Sequence, residues 1–209
     1  MNVVIIDYGM GNLRNVQKAF EYIGVEGTIS SRADDLDRAA GLVLPGVGAF
    51  GDAMHNLDAA GLTDPIRRAV ARGTPLLGIC LGLQLLFDGS EEMGEHVGLG
   101  LLPGRVVRFG DQLKVPHIGW NQLDIAPDKE RSPLLEGIPD HSYAYFVHSY
   151  YAVPADPACV LCTTMYGLPF ASVVGQGNVF GAQPHPEKSQ EIGLRILCNY
   201  AEIVRGSFQ

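Results

Sequence analysis

The stretch Thr74-Pro-Leu-Leu-Gly-Ile-Cys-Leu-Gly-Leu-Gln-Leu-Leu-Phe87 decides the architecture. Leu76 to Ile79 form a short, apolar run, the signature of a strand buried on both faces of a parallel sheet. The run ends at Gly78-Ile79-Cys80-Leu81-Gly82, and Leu81, Gln84, Leu85 and Phe87 then follow a helical pattern. A nucleophile flanked by glycines at minus two and plus two, on a strand-to-helix turn, is the arrangement of a nucleophile elbow. Such a turn strains the central residue's backbone and leaves no room for side chains at the flanking positions. The helix that follows directs its first N–H groups at the sulfur, which favours thiolate, the reactive form. A cysteine among apolar residues is ordinarily inert core. The paired glycines and the strand-turn-helix setting single out Cys80 as the nucleophile.

Upstream, Val3 to Ile6 read as a first strand that runs into Asp7-Tyr8-Gly9-Met10-Gly11-Asn12. Gly9-x-Gly11 invites a dinucleotide-binding reading, but Arg14 stands where the third glycine belongs. The turn is better read as a tight strand-helix connection, with Asn12 capping a helix from Leu13 to about Ile23. Val25 to Ser30 suggest a second strand, Asp34 to Ala40 a short helix, and Gly41 to Leu44 a third strand. That strand runs into Pro45-Gly-Val-Gly-Ala-Phe-Gly51, at the sheet edge where open α/β folds bind ligands. Backbone N–H groups free of side-chain crowding are what an oxyanion site requires. Residues 52 to 72 read as helical, interrupted near Gly61 and Pro65.

This alternation of strand and helix predicts a doubly wound, mostly parallel sheet. Beyond Gly89, short β-like runs at Arg105 to Phe109, Asn121 to Ile125, Ala144 to Val147, Val160 to Met165 and Ala171 to Val174 are separated by Gly/Pro turns. They predict an antiparallel or mixed extension over residues 97 to 183. Ile192 to Val204 follow as an amphipathic helix. With no internal repeat and no low-complexity linker, one domain over residues 1–209 is expected.

At 209 residues the chain can bury a full core, and its 46% hydrophobic and 18% charged shares are those of an ordinary soluble globule. A net charge of -8 with no Lys/Arg-rich run argues against a nucleic-acid partner. No segment has the length of a membrane-spanning helix, and Met1 to Asp7 lack the basic start of a signal peptide, so the expected location is the cytosol. Four cysteines do not suggest a disulfide framework. Cys159 and Cys162 form a lone C-x-x-C in what reads as a strand from Ala158 to Thr164. Three residues apart on a strand, they point to opposite faces, so no metal site is expected. Cys198 falls on an apolar helical face and reads as core.

A catalytic cysteine needs a base. His185 stands out in Gln183-Pro-His-Pro-Glu187: a residue before proline is extended, and extended positions two apart face the same side. Glu187 would then hold one imidazole nitrogen while the other faces the thiol. Alone, His-Pro-Glu also fits a plain surface loop; beside the elbow it gains weight. His55, His96, His117 and His141 lack an adjacent orienting carboxylate in a helpful frame. His148, in Tyr145-Phe-Val-His-Ser-Tyr150, is the second candidate for the base, though a wall of the site is its better reading.

With these motifs in place the sequence resembles the class I (triad) glutamine amidotransferases, whose elbow reads G-x-C-x-G and whose His-x-Glu lies near the C-terminus. Within them it is most similar to the glutaminase subunits of imidazole glycerol phosphate synthases. The similarity runs through Ile6-Asp-Tyr-Gly-Met-Gly-Asn-Leu13, Pro45 to Gly51, Gly78 to Gln84, Pro116-His-Ile-Gly-Trp-Asn121, Tyr145 to Tyr150 and Pro184-His-Pro-Glu-Lys-Ser189. The resemblance implies a flavodoxin-like amidotransferase fold, no cofactor, and a Cys80–His185–Glu187 triad that hydrolyses L-glutamine through a glutamyl thioester. It implies oxyanion donors from Leu81 and the Val47-Gly48 peptide, and substrate contacts from Gln84, Ser149 and Tyr150. It further implies a (β/α)₈-barrel cyclase partner that receives the ammonia, with Asn12, Trp120, Asn121, Tyr145 and Lys188 as interface candidates. For Trp120 a core position is the competing reading. In this family the free glutaminase is nearly idle until its partner is bound and liganded, which a flippable peptide at Pro45-Gly46-Val47-Gly48 would explain.

Two alternatives stay open on sequence. One is an amidotransferase serving another synthase, such as those for anthranilate, GMP or pyridoxal phosphate. The other is a non-catalytic flavodoxin-like binding subunit in which Cys80 is core.

Overall fold

The structure is a computed structural model that describes residues 2–129 and 132–206; Met1, at the head of the expected first-strand run, lies outside them. In chain order the elements begin β1 (Val3–Ile6), α1 (Leu13–Tyr22), β2 (Gly27–Ser30), α2 (Ala33–Asp37), β3 (Gly41–Gly46), α3 (Phe50–Ala59), α4 (Thr63–Ala71), β4 (Leu76–Cys80) and α5 (Leu81–Leu85). There follow β5 (Phe87–Ser90), β6 (His96–Val97), β7 (Leu102–Arg108), β8 (His117–Ile125), β9 (Ser142–His148) and β10 (Tyr150–Pro154). The last are β11 (Val160–Tyr166), β12 (Leu168–Gln176), β13 (Val179–Ala182) and α6 (Gln190–Gly206).

Strands β2-β1-β3-β4-β13 pair in parallel, and β13-β12-β11-β8-β9 continue the same sheet antiparallel. Apart from β2 at the sheet edge, the parallel strands bury both faces, and their side chains alternate between two cores. Val3, Ile5, Val43, Leu77 and Ile79 join one with α1 and α6; Val4, Ile6, Leu42, Leu44 and Leu76 join the other with α3 and α4. Each fully buried aliphatic contributes about 1.5–3 kcal/mol, so two-sided burial explains why these runs are continuously apolar. The expected doubly wound sheet with a mixed extension is therefore present.

Several boundaries differ from expectation. The helix after Cys80 stops at Leu85, and Phe87 opens β5 instead of continuing it. β5 belongs to a second sheet, ordered β10-β7-β5-β6, which periodicity did not reveal because its strands are short or sit beside Gly/Pro turns. Residues 179–182 lie in the expected antiparallel or mixed extension, and β13 makes it mixed, pairing antiparallel with β12 and parallel with β4 in the sheet centre. Pro65 does not interrupt a helix; it sits in the first turn of α4, where its missing N–H costs nothing. Asn12 holds the N-cap position, but its side chain makes no capping bond; its carbonyl alone accepts from Asn15 and Val16.

Cys159 closes a 3₁₀ turn (Pro157–Cys159) before β11 and is not part of the strand. It and Cys162 nonetheless enter opposite cores, the two-face separation expected of them. Cys198 is half-buried, not core, because α6 turns that side of its surface toward solvent.

Candidate active site

Strand β4 delivers Cys80 to the C-terminal edge of the sheet with φ 54° and ψ -111°, the strained conformation an elbow demands. The flanking glycines are required by backbone. A Cβ at Gly82 would lie 1.7 Å from the Leu44 carbonyl oxygen on β3, and one at Gly78 would lie 2.5 Å from the Gly82 carbonyl oxygen. Side chains at both positions are thus excluded by main chain: at Gly82 by β3, which is hydrogen-bonded on both sides, and at Gly78 by the first turn of α5. α5 is only five residues long, so the expected helix dipole reduces to the N–H groups of one short turn.

Behind the cysteine, His185 and Glu187 meet: Nδ1–H donates to Glu187 Oε1 at 2.8 Å, with side chains 5% and 1% exposed. The local conformation is not the extended tripeptide expected. Pro186–Lys188 form a 3₁₀ turn, and the pairing survives because the turn keeps the carboxylate on the imidazole's side. Burial works against a charged His185, but Cys80 and Glu187 outweigh it and hold the imidazole well above its usual range. The Glu187 part of this rests on a formed hydrogen bond. The Cys80 part is one of proximity only, because His185 Nε2 makes no hydrogen bond among the described residues. The thiol instead points at the Val147 carbonyl (3.9 Å) and receives an N–H from Gln183 Nε2 (3.8 Å).

Cys80 and His185 share a cavity of about 340 Å³. Val47, Gly48, Leu81, Gln84, Ser149 and Tyr150, all singled out on sequence, line it with them. His148 forms a wall, as expected. Gly48 has φ +100°, a backbone conformation that makes this turn a glycine position, and it packs beside the Met10 methyl group. Tyr8 supports it from below, its hydroxyl donating to the Pro45 carbonyl at 2.9 Å. A second, water-sized cavity lies behind the triad, lined by Asn12, Gly46, Val47, His185 and Glu187 among others. Glu187 Oε2 is buried there without a hydrogen-bond partner among the described residues.

The remaining sequence candidates separate. Trp120 is 47% exposed, which settles it as a surface residue. It pairs in register with Tyr145 across β8 and β9, the rings 5.9 Å apart, and Lys188 Nζ lies 5.8 Å from the Tyr145 ring. These three make one patch at the pocket's rim. Asn121, next along β8, turns to the opposite face and binds the Met165 carbonyl (2.9 Å) and His117 (3.3 Å). His141 corrects the expectation that it lacks an orienting carboxylate: Asp124 (2.7 Å) and Asp140 (3.3 Å) flank it and raise its pKa, but it is exposed and does not line the pocket.

Three polar residues of the site had no assigned role on sequence. Glu92, from the loop after β5, lines the pocket and accepts the Phe50 N–H at 2.7 Å, which stitches that loop to the start of α3. Gln183 is fully buried between Cys80 and Gln84. His117 is buried against His148. Only the polarity of Gln183 beside His185 offered a local hint; Glu92 and His117 reach the site through long-range pairing.

A strained cysteine, a buried imidazole–carboxylate pair and glycine-rich N–H groups around one polar cavity can perform acyl transfer at a carboxamide or ester. Among the described residues no helix is long and apolar enough to cross a membrane.

Comparison with known proteins places this geometry. The family model for class I glutamine amidotransferases matches residues 4–200. The imidazole glycerol phosphate synthase subunit HisH of Syntrophotalea carbinolica is 52% identical over 208 residues, covering 96% of this chain and 100% of that one. Its counterpart in Geobacillus kaustophilus is 54% identical over 208 residues, covering 97% of both chains. In fold, PurLQS from Thermotoga maritima superposes with a TM-score of 0.74 at 21% identity, covering 97% of this chain and 98% of that one.

Proposed function

The chain belongs to the class I glutamine amidotransferases and, within them, to the HisH subunits of imidazole glycerol phosphate synthase, and on that premise we propose that it hydrolyses glutamine through Cys80, His185 and Glu187. The observation that carries this reading is the Cys80 elbow at φ 54° opening on the same cavity as a His185 held at 2.8 Å by Glu187.

His185 Nε2 holds the proton given up by Cys80, and the resulting thiolate attacks the side-chain carboxamide carbon. Glu187 keeps Nδ1 protonated, so that Nε2 is the nitrogen free to act. The developing oxyanion is received by the Leu81 N–H and the Val47-Gly48 peptide; losing one such donor costs about 3 kcal/mol. His185 returns the proton to the departing nitrogen, ammonia leaves, and water hydrolyses the glutamyl thioester to glutamate, freeing the thiol. Gln84, Ser149 and Tyr150 hold the amino-acid end. Glu92, the carboxylate of the pocket lining, pairs with the substrate's α-ammonium.

Ammonia then passes to a (β/α)₈-barrel cyclase subunit that makes imidazole glycerol phosphate and AICAR, in a cytoplasmic heterodimer. Trp120, Tyr145 and Lys188 are the docking patch, with Asn12 a further interface candidate, while Asn121 faces away from the patch. The whole of 1–209 is read as one amidotransferase domain.

The test is glutamate release from glutamine, by the chain alone and then with a cyclase subunit and its nucleotide ligand. A weak rate alone, a large rise in the mixture and no release by Cys80→Ala are expected. Strong activity indifferent to the cyclase would overturn the subunit assignment, and undiminished release by Cys80→Ala would overturn the nucleophile.

A further inference from the structure

His117 and His148 face each other in register at the ends of β8 and β9, 3% and 6% exposed. Their rings lie in an aromatic shell: His117 stacks on Tyr166 (centroids 4.0 Å apart) and on Phe146 (5.1 Å). The hydrogen bonds between them have one consistent polarity. His148 Nδ1 lies 2.8 Å from the Tyr150 carbonyl, which can only accept, so Nδ1 carries the hydrogen. In the neutral ring His148 Nε2 is then an acceptor, and His117 Nδ1, 3.1 Å away, must be its donor. His117 Nε2 is left to accept from Asn121 Nδ2 at 3.3 Å. The Asn121 amide is oriented independently, because its Oδ1 accepts the Gln122 N–H and its Nδ2 also donates to the Met165 carbonyl.

The chain ends at the active site. The Tyr150 carbonyl that takes the His148 hydrogen also takes one from Gln84 Nε2 at 2.9 Å. Gln84 Nε2 in turn lies 3.1 Å from Gln183 Oε1, and Gln183 Nε2 donates to the Cys80 sulfur. One carbonyl therefore ties the Ser149-Tyr150 segment to the elbow on one side and to the paired histidines on the other. A change of tautomer at His148 would replace a donor by an acceptor facing that carbonyl, and one at His117 would set two acceptors against each other at His148 Nε2.

The geometry points to His117 as a positioning residue of the glutaminase reaction: its Nδ1–H locks His148 in the tautomer that holds the Tyr150 carbonyl, and so shapes the Ser149-Tyr150 segment that receives the substrate. This rests on the glutaminase reading above. His117 does not line the pocket, so it acts through His148 and not on glutamine itself.

Two measurements test it. In ¹⁵N-histidine-labelled protein both His117 and His148 should appear as neutral Nδ1–H tautomers at neutral pH, a signature that close packing alone would not impose. Steady-state glutaminase kinetics of the assembled synthase should show KM for glutamine raised about tenfold in His117→Phe, which keeps the ring and loses the donor, with kcat less affected. His117→Asn, whose amide nitrogen sits where Nδ1 was, should restore much of the loss. An Nε2–H tautomer on His148 in the unmodified protein overturns the lock, whether or not the variants fold. Normal turnover by the unmodified synthase with an unchanged KM in His117→Phe overturns the positioning role alone, whereas no glutamate release by the unmodified synthase overturns the glutaminase reading.

Discussion

Replacing Glu187 by glutamine would preserve the shape of the His185 contact and remove its charge. The contact is short (2.8 Å) and both side chains are almost wholly buried, so solvent does little to soften the change. A hydrogen bond to a charged group contributes about 1.5–3 kcal/mol and a neutral one about 1 kcal/mol. The difference of about 1–2 kcal/mol corresponds to a loss of roughly 5- to 30-fold in rate. The loss should fall on kcat, because Glu187 stands behind His185 and does not line the substrate cavity. Glu187→Ala should be worse by a further factor of about ten or more, since it leaves a buried N–H unpaired and frees the ring to turn. Glutamate release by the assembled synthase, with melting temperatures to confirm folding, reads both variants. A Glu187→Gln enzyme with normal kcat, or one altered only in KM, would refute the assignment of Glu187 as the residue that orients the base.

Gly82→Ala would drive a Cβ to 1.7 Å from the Leu44 carbonyl oxygen, and β3 cannot yield without giving up its bonds to β1 and β4. A destabilisation of about 3 kcal/mol or more follows, lowering the melting temperature by roughly 6–12 °C; an unchanged melting temperature would show that the elbow tolerates the methyl. Stability should also fall on mild acidification. Burial depresses His117 to about 4 and His148 to about 3, so the unfolded chain takes up protons that the native state refuses as pH drops below the ordinary histidine value. His185 and His141 are shifted upward, so their contribution is complete below that value and does not offset the loss. The carboxylates that the fold holds low, Asp37 and Asp140, act only nearer pH 4. Urea midpoints should therefore decline between pH 6.5 and 4.5; a flat profile over that window would mean that the histidine pair is already charged in the native state.

The parts of the site visible in the sequence are those in which a few neighbouring residues carry the physics. Cys80 is legible because a strained turn needs glycine on both sides within five residues, and His185-Pro-Glu187 because two residues suffice to place a carboxylate on an imidazole. Even there the detail is set in three dimensions: residues 186–188 form a 3₁₀ turn, and Gly82 is required by a carbonyl 38 residues upstream in sequence (Leu44) and not by its neighbours. Glu92, Gln183 and His117 had no such local mark, since each derives its role from a partner 42, 99 and 31 residues away.

The same division holds for the fold. Continuous apolar runs at Val3 to Ile6, Gly41 to Leu44 and Leu76 to Ile79 are determined by burial on both faces, and the sequence alone specified a parallel sheet with the nucleophile at its edge. Which strands become neighbours was decided only in three dimensions. β13 looks like any short apolar segment, yet it pairs beside β4 and brings Gln183 and His185 to the cysteine from the far end of the chain. The pairing of β8 with β9 likewise creates the His117–His148 contact from two unremarkable histidines. Every residue but proline offers the same backbone donor and acceptor, so which strands become neighbours leaves little trace in local composition, whereas strain and burial do.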